Sequence, residues 1–305
     1  MKVGIIGHGS IGKRHAANAF LLGHNVLVYD PASRRDVNFE SNIYEICDAV
    51  VIATPSWVHI AGIRACAERG RHMLVEKPIA TSMATLREML DWAAAKNLTV
   101  MMGNNLRFHP CVQSAKTRID EGHFGKPLWA SFTCAAFSTK PLYLSDGVIL
   151  NTGAHEVDLA LHLLGPAKVI SADAHVADYG GVREPMREDI ADFVLEHASG
   201  CRSTFHIDFV TKNEIREFRV SGSDGDLRCD LLERTHTARL SDPKLPNVTH
   251  THNFKCHGSY DTDYLDEMRA FFDRIDGKDV PGATGEDGFA TLQVLLDVRK
   301  MAGIG

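Results

Sequence analysis

The sequence has no long apolar run. No stretch of 18 consecutive apolar residues occurs, whereas a membrane-spanning helix needs about 20. The short apolar run after Met1-Lys2 passes directly into glycines, which is unlike the hydrophobic region of a secretory signal peptide. We therefore expect neither a membrane span nor a secretory leader.

Cysteine pairs at short spacing are also absent. The seven cysteines are an odd number, and no two are spaced as Cys-x-x-Cys. This usage is typical of reduced thiols rather than of a disulfide framework or a zinc ribbon. It predicts a cytoplasmic protein.

Charge of one sign is not in large excess. Lysine and arginine number 33 and aspartate and glutamate number 39, which gives a net charge of -6. A mildly acidic chain lacks the broad cationic field that attracts nucleic acid or anionic lipid. We expect neither as a partner.

The remaining composition is that of an ordinary globular protein, with 44% hydrophobic and 24% charged residues. A length of 305 residues is about twice that of a common single domain, so two domains are expected.

Strands and helices alternate in the first part of the chain. The predicted strands are short and mostly apolar, as in a sheet buried on both faces: Val3–Ile6, Asn25–Tyr29, Ala49–Ala53, His72–Val75 and Leu98–Met102. Helical periods separate them, the last from Ser82 to about Lys96. This alternation predicts a doubly wound parallel sheet of the Rossmann type over residues 1–120.

The pattern changes after about Arg118. Longer predicted strands follow, at 128–136, 168–176, 190–196, 201–210, 215–220 and 226–231, with helical periods at 148–164, 260–275 and 285–301. We interpret residues 121–305 as an α+β domain built on a large, mostly antiparallel open sheet. The whole chain is then of the α/β class.

A glycine pattern at the end of the first strand predicts a nucleotide site. Gly7-x-Gly9-x-x-Gly12 follows that strand and opens a helix. Its glycines allow a tight turn, close approach of a pyrophosphate and close packing of the helix on the strand. The backbone amides at the start of the helix, including those of Ser10 and Ile11, can then bind the negatively charged phosphates.

Asp30 lies 18 residues after Gly12, at the end of the second strand. A carboxylate there can hold both ribose hydroxyls, which favours NAD over NADP. The NADP alternative stays open, because Ser33, Arg34 and Arg35 follow closely and can bind a 2′-phosphate.

Two further strand ends carry candidate cofactor contacts. Thr54 and Pro55 follow the third strand, with His59 just beyond on a helix; an ordinary helix-face role for His59 is the alternative. Glu76-Lys77-Pro78 follows the fourth strand, and Pro78 fixes the local chain. Lys77 is thereby directed toward the nicotinamide, although a solvated lysine is the simpler interpretation of these three residues alone.

Several short motifs occur in a fixed order along the chain: Gly7-x-Gly9-x-x-Gly12, Ala53-Thr54-Pro55 with His59, Glu76-Lys77-Pro78, Gly103-Asn104-Asn105-Leu106-Arg107-Phe108-His109-Pro110, Gly153-Ala154-His155-Glu156-Val157-Asp158-Leu159 with Leu163-Leu164-Gly165, and Gly285-Glu286-Asp287 before a closing helix. As an ordered set they resemble the Gfo/Idh/MocA oxidoreductases, which include glucose-fructose oxidoreductase and inositol dehydrogenase. The resemblance covers nearly the whole chain.

The resemblance implies a Rossmann domain followed by an α/β domain whose open sheet forms a homodimer or homotetramer interface. It implies that Lys77 contacts the nicotinamide ribose and the reacting hydroxyl, and that Glu76 belongs to the cofactor site. It also implies that His155 is the proton acceptor and that the Lys77-Pro78 bond is cis. One position departs from the family pattern: Asn151 stands where the family has an acidic residue, so the acid-base role passes to His155.

Other residues are candidates for substrate contact. Asp158 lies three residues after His155, near the same helix face, and can orient the imidazole or a substrate hydroxyl. Asn105 and Arg107 follow the fifth strand; Arg107 can bind an anionic substrate group or pair with a wall carboxylate as scaffolding. Asn151 can hydrogen-bond a sugar hydroxyl. Lys140 and Tyr143, before the His155 helix, are further candidates.

The chain has one region with several metal-ligand side chains: His250, His252, Cys256 and His257. No acidic or cysteine partner completes a familiar spacing, and the resembled family uses no metal. We expect a solvated strand and loop here and no metal.

These observations predict an NAD(P)-dependent oxidoreductase. It would transfer hydride between the nicotinamide and a secondary hydroxyl or keto carbon of a sugar, sugar acid, nucleotide-sugar or cyclitol. Two alternatives stay open: a catalytically silent dinucleotide-binding sensor or subunit, favoured by Asn151, and an enzyme acting on a bicyclic imine or enone.

Overall fold

The computed structural model describes residues 1–30, 42–138, 141–177, 187–241 and 249–304, apart from the side chains of residues 141–145 and 249. Ser33, Arg34, Arg35, Lys140 and the side chain of Tyr143 therefore lie outside the described residues. No helix in the described part of the chain is long and apolar enough to cross a membrane.

The described residues form fourteen strands. In chain order they are β1 Lys2–Ile6, β2 Asn25–Tyr29, β3 Ala49–Ile52, β4 His72–Glu76, β5 Val100–Gly103, β6 Pro127–Ala135, β7 Ala167–His175, β8 Ile190–His197, β9 Arg202–Asp208, β10 Ile215–Gly222, β11 Gly225–Asp230, β12 Thr235–Ser241, β13 Thr249–Lys255 and β14 Ala283–Thr284.

The same residues form nine α-helices. They are α1 Ser10–Leu21, α2 Ile43–Ile46, α3 His59–Arg69, α4 Leu86–Ala95, α5 Pro110–Asp120, α6 Pro141–Asn151, α7 Gly153–Leu164, α8 Tyr260–Ile275 and α9 Gly285–Met301. Short 3-10 turns cover Ser56–Val58 and Asn105–Phe108.

Two compact units divide the chain. The first comprises Met1–Phe108 and Ser259–Leu292, and the second comprises His109–Gly258 and Gln293–Gly305. The division into domains at residue 120 stays a prediction; the compact units place the segment that contains α8 with the first unit.

The first unit is built on a six-stranded sheet in the order β14-β5-β4-β3-β1-β2. Its five long strands are parallel, and only the short β14 runs antiparallel to β5 among the described strands. The fold class predicted for this part is confirmed. The core contains Ile5, Val51 and Leu74 from the sheet together with Met268 and Phe271 of α8.

The second unit is built on an eight-stranded sheet in the order β13-β12-β11-β10-β6-β9-β8-β7. All neighbouring strands are antiparallel except β6 and β9, which are parallel. The predicted large, mostly antiparallel sheet is confirmed. Four buried rings form a stack across it, with centroid separations of 4.4, 5.0 and 5.7 Å along Phe193, Phe205, Phe132 and Phe218.

The structure differs from the predictions in several local features. The helix expected from Ser82 begins at Leu86, because Thr85 has a φ of 66° that helical backbone excludes. The single helical period predicted for 148–164 is two helices, α6 and α7, and α6 itself is broken at Gly147, where φ is 75°. Strand β12 was not predicted, since its Thr, His and Arg side chains hide the alternation of buried positions.

Candidate functional site

The glycine turn after β1 is tightly packed at two of its three glycines. Gly7 has a φ of +92°, and a Cβ there would lie 2.5 Å from the Ala53 carbonyl oxygen. A Cβ on Gly12 would lie 2.0 Å from the Gly7 carbonyl oxygen. These two positions accept only glycine, which keeps α1 close to the sheet.

The third glycine borders open space. A Cβ on Gly9 would meet no atom of the described chain within 4 Å. Gly9 is also the residue before α1, and no side chain among the described residues caps the helix start. The amides of the first turn, at Ser10 and Ile11, therefore face a space suited to an anion.

Asp30 lies at the end of β2 and is tied to this turn, since the backbone N–H of His8 donates to its Oδ2 at 2.7 Å. An open space, uncapped amides and an adjacent carboxylate fit a dinucleotide. The amides would hold the pyrophosphate and Asp30 the ribose hydroxyls.

The loops after β3 and β4 are joined by a histidine. The Nε2 atom of His59 lies 2.8 Å from the Thr54 carbonyl oxygen, and its Nδ1 lies 2.8 Å from the Pro78 carbonyl oxygen. His59 is buried, and both ring nitrogens serve the backbone, so the structure gives it a positioning role between two loops. Direct contact of His59 or Pro55 with a cofactor stays a prediction. Thr54 Oγ1 is buried and has no hydrogen-bond partner in the described residues.

The fourth strand ends in the segment that carries the predicted catalytic lysine. The Lys77-Pro78 peptide bond is cis, which confirms what the resemblance implied. Glu76 is buried and accepts hydrogen bonds through both oxygens, from His15 Nε2 at 2.8 Å and from the Lys77 backbone N–H at 3.3 Å. Sequence reasoning missed His15, which lies on α1 and has no local motif.

The segment after β5 contains buried amides and a buried guanidinium. Asn104 Oδ1 and Asn105 Nδ2 have no hydrogen-bond partner within the described ranges. Arg107 is buried and its Nη2 lies 3.3 Å from Asp287 Oδ1. Burial alone would raise the pKa of Asp287, but the Arg107 charge and hydrogen bonds from Thr284 outweigh it and lower that pKa. This pair supports the scaffolding alternative for Arg107, and its substrate contact stays a prediction.

The remaining predicted residues lie in the second unit. Asn151 ends α6, and His155 and Asp158 lie one turn apart on α7. His155 is half-buried and Asp158 is buried. Between them in sequence, Glu156 is 1% exposed and accepts from Arg216 Nε at 3.0 Å and Nη2 at 2.7 Å, which fixes α7 against β10. The joint action of His155 and Lys77 stays a prediction.

A cluster of metal-ligand side chains was also missed. Donor atoms of Cys111, His236 and Cys256 lie within 4.8 Å of one another. Of the four residues considered from the sequence, only Cys256 belongs to this cluster. Cys111 on α5 is 145 residues from Cys256 and His236 on β12 is 20 residues from it, so no familiar ligand spacing joins the three.

A parallel sheet with an open glycine turn, a carboxylate at the end of β2 and a lysine at the end of β4 defines a dinucleotide-binding oxidoreductase. Comparison with known families agrees. The oxidoreductase family with an NAD-binding Rossmann fold (GFO/IDH/MocA) matches residues 1–104, and the GFO/IDH/MocA C-terminal domain matches residues 112–228. The chain belongs to the GFO/IDH/MocA family, and its nucleotide-binding domain is of the NAD type.

Known relatives are similar over most of their length. The 1,5-anhydro-D-fructose reductase of Ensifer adhaerens is 30% identical over 85% of this chain and 78% of its own. The myo-inositol 2-dehydrogenase of Thermotoga maritima is 25% identical over 98% of this chain and 96% of its own. The structure of UDP-N-acetylglucosamine 3-dehydrogenase from Acidithiobacillus ferrooxidans has the same fold, with a TM-score of 0.85 at 22% identity, covering 100% and 98% of the two chains.

Proposed function

We propose that this NAD-dependent oxidoreductase moves a hydride between the nicotinamide and a secondary hydroxyl or keto carbon of a sugar, sugar acid, nucleotide-sugar or cyclitol. The observation that carries the proposal is the arrangement along one sheet edge. The open glycine turn follows β1, and Lys77 follows β4, with its backbone N–H held by Glu76. Relatives named for an inositol, an anhydro-sugar and a nucleotide-sugar support a polyhydroxylated substrate.

Bound NAD would supply the hydride acceptor, and the chain's own residues would manage the proton and the charge. As the hydroxyl becomes a carbonyl, its O–H bond breaks, and a neutral imidazole of His155 takes the proton. The ammonium of Lys77 stabilises negative charge that builds on the substrate oxygen. In the reductive direction the imidazolium returns the proton to the new hydroxyl.

The roles of the other residues are proposals of the same kind. Thr54, Pro55 and Glu76 would border the cofactor, and Asn105, Arg107, Asn151 and Asp158 would contact substrate hydroxyl or anionic groups. With Asn151 in the family's acidic position, that site donates or accepts hydrogen bonds but takes no proton.

The test measures NADH binding and turnover separately. Lys77→Ala and His155→Ala should each lower kcat by about 10²-fold or more while NADH affinity, measured by cofactor fluorescence, changes only a few-fold. Lys13→Ala, an exposed lysine of α1, and His162→Ala, on α7, are the matched controls and should keep wild-type turnover. Wild-type turnover in either test variant would remove that residue from the mechanism.

The same assay separates the alternatives. The substrate panel contains inositols, 1,5-anhydro-D-fructose and UDP-N-acetylglucosamine, together with a cyclic imine and an enone. NADH binding without turnover of any compound would support the silent sensor, and turnover of only the imine or the enone would support that alternative. An affinity for NADPH at least tenfold above that for NADH would contradict the preference assigned to Asp30.

We further propose a cytoplasmic homodimer or homotetramer that assembles through the open face of the eight-stranded sheet. All seven cysteines are free thiols, as a reducing compartment favours. Trp129 is 41% and Ile215 is 42% exposed on that sheet, and large apolar side chains of this kind suit a contact surface. Light scattering coupled to size exclusion tests it, with Trp129→Lys expected to yield monomer; a wild-type monomer would contradict it.

A further inference from the structure

Two thiols and an imidazole converge in the second unit, and the hydride transfer uses none of them. Cys111 is the second residue of α5, His236 lies on β12, and Cys256 directly follows β13. The two Sγ atoms are 3.1 Å apart, and His236 Nδ1 lies 3.8 Å from Cys256 Sγ. We propose that Cys111, His236 and Cys256 bind one zinc ion.

The separations between the donors suit a single ion. With Zn–S of about 2.3 Å and Zn–N of about 2.0–2.1 Å, tetrahedral angles place two sulfurs about 3.8 Å apart and a sulfur and a nitrogen about 3.6 Å apart. The observed sulfur–nitrogen separation of 3.8 Å already agrees. The sulfurs at 3.1 Å must move apart by about 0.6–0.7 Å to reach that geometry, which rotation of one thiol provides.

The chemistry of the three donors also points to zinc. Two sulfurs and one imidazole form a set that zinc prefers to magnesium or calcium, which need oxygen ligands. His236 is 4% exposed, and its Nε2 has no hydrogen-bond partner in the part of the chain that the structure describes. The other ring nitrogen, Nδ1, is the one beside Cys256 Sγ. Cys256 is half-buried, which gives an ion a route from solvent and leaves a fourth position for water.

Zinc binds the thiolate form of Cys111, and the surroundings of this thiol act on that form in opposite directions. Cys111 lies at the start of α5, where the helix dipole stabilises negative charge. Burial and the hydrogen bond with Cys256 raise the pKa of the Cys111 thiol, and the charge of Arg234 only partly offsets the rise, so zinc must displace a proton that the metal-free protein holds. On zinc binding the S–H bond is replaced by an S–Zn bond, and the proton passes to solvent.

A disulfide is the competing interpretation of the two sulfurs. Their separation of 3.1 Å is well beyond the bond length of about 2.05 Å. A disulfide would also use only two of three converging donors and would leave His236 without a role. Zinc accounts for all three, and it would join the start of α5 to β13, the edge strand of the sheet.

The experiment uses the full chain, reduced and stripped of metal, titrated with Zn²⁺ against a chromogenic chelator. We expect one zinc per chain, and with Co²⁺ a sulfur-to-cobalt charge-transfer band. Cys111→Ser, Cys256→Ser and His236→Asn should each weaken zinc binding by about tenfold or more. Cys201→Ser is the matched control, because Cys201 is buried in the same unit but outside the cluster; it should bind zinc like the wild type.

Several outcomes would overturn the proposal. One is that the reduced wild type binds no stoichiometric zinc, and another is that all variants bind zinc with equal affinity. A third is that protein purified without reductant contains a Cys111–Cys256 disulfide and no metal. If a cysteine variant does not fold, the proposal is tested by the cobalt charge-transfer band alone. The band should be present in the wild type and absent in His236→Asn. Turnover is not part of the readout, so this test and that of the oxidoreductase function can fail separately.

Discussion

The buried pair of Glu156 and Arg216 gives a sharp test of how α7 is held in place. Glu156 is 1% exposed and is bound twice by the Arg216 guanidinium, at 3.0 and 2.7 Å. Burial raises the pKa of Glu156, and the charge of Arg216 partly offsets that rise. If either side chain is removed, the remaining one is a desolvated charge without its compensating partner.

The two single variants should differ in how much they lower the free energy of unfolding. Glu156→Leu removes the carboxylate from the Arg216 guanidinium and should lower the free energy of unfolding by about 3–5 kcal/mol. Arg216→Met should lower the free energy of unfolding by less, because the buried carboxyl of Glu156 can take a proton. Its pKa is then raised further in the folded state, so folding binds a proton and stability increases as pH falls. The deficit of Arg216→Met should therefore shrink between pH 8 and pH 5.

The double variant Glu156→Leu/Arg216→Met should recover to within about 1 kcal/mol of the wild type, since no buried charge remains. Urea unfolding followed by circular dichroism measures all four proteins. Arg228→Met is the matched control: Arg228 pairs with Glu217 on the same sheet, but its side chain is 52% exposed, so its loss should cost less than about 1 kcal/mol. Additive single effects, within about 0.5 kcal/mol, would refute the reasoning.

Two further predictions concern the nucleotide turn and the second sheet. Gly9→Ala should leave the free energy of unfolding unchanged within about 0.5 kcal/mol, because its Cβ meets no described atom within 4 Å, yet weaken NADH binding in a fluorescence titration; unchanged affinity would show that no ligand approaches Gly9. The second variant is His206→Asn. Asp192 and Asp208 outweigh the opposing effect of burial and raise the pKa of His206, so its contribution is complete below the unfolded pKa and is lost as pH rises through the folded value. The side chain is 45% exposed, so the deficit of His206→Asn should stay below about 1 kcal/mol and be larger at pH 5.5 than at pH 9 in urea unfolding; a deficit independent of pH would contradict this assignment.

The parallel sheet could be predicted because its signals are local. Short apolar strands such as Ala49–Ile52 are buried on both faces, and the glycine turn combines a fixed spacing with a strand before it and a helix after it. The ends of β2, β3 and β4 then follow from the alternation alone, and with them Asp30, Thr54 and Lys77.

Contacts between distant segments could not be predicted in this way. The apolar period of α8 shows that one face is buried but not which sheet covers it, and Met268 and Phe271 pack in the core of the first unit. The contacts of His15 with Glu76 and of Arg107 with Asp287 likewise join residues far apart in sequence, which no local pattern pairs. Cys111, His236 and Cys256 belong to three elements whose juxtaposition depends on the strand order of the whole sheet.

Helix α1 connects the glycine turn to the segment that carries Lys77. Its first residues present amides to the open space at Gly9, and His15, also on α1, grips Glu76 at 2.8 Å. A tilt of this helix would shift both contacts together, so the glycine turn and the backbone of Lys77 are mechanically coupled through Glu76. Binding of a dinucleotide at the turn and the position of Lys77 are then linked, and by reciprocity loss of the hydrogen bond between His15 and Glu76 should weaken dinucleotide binding.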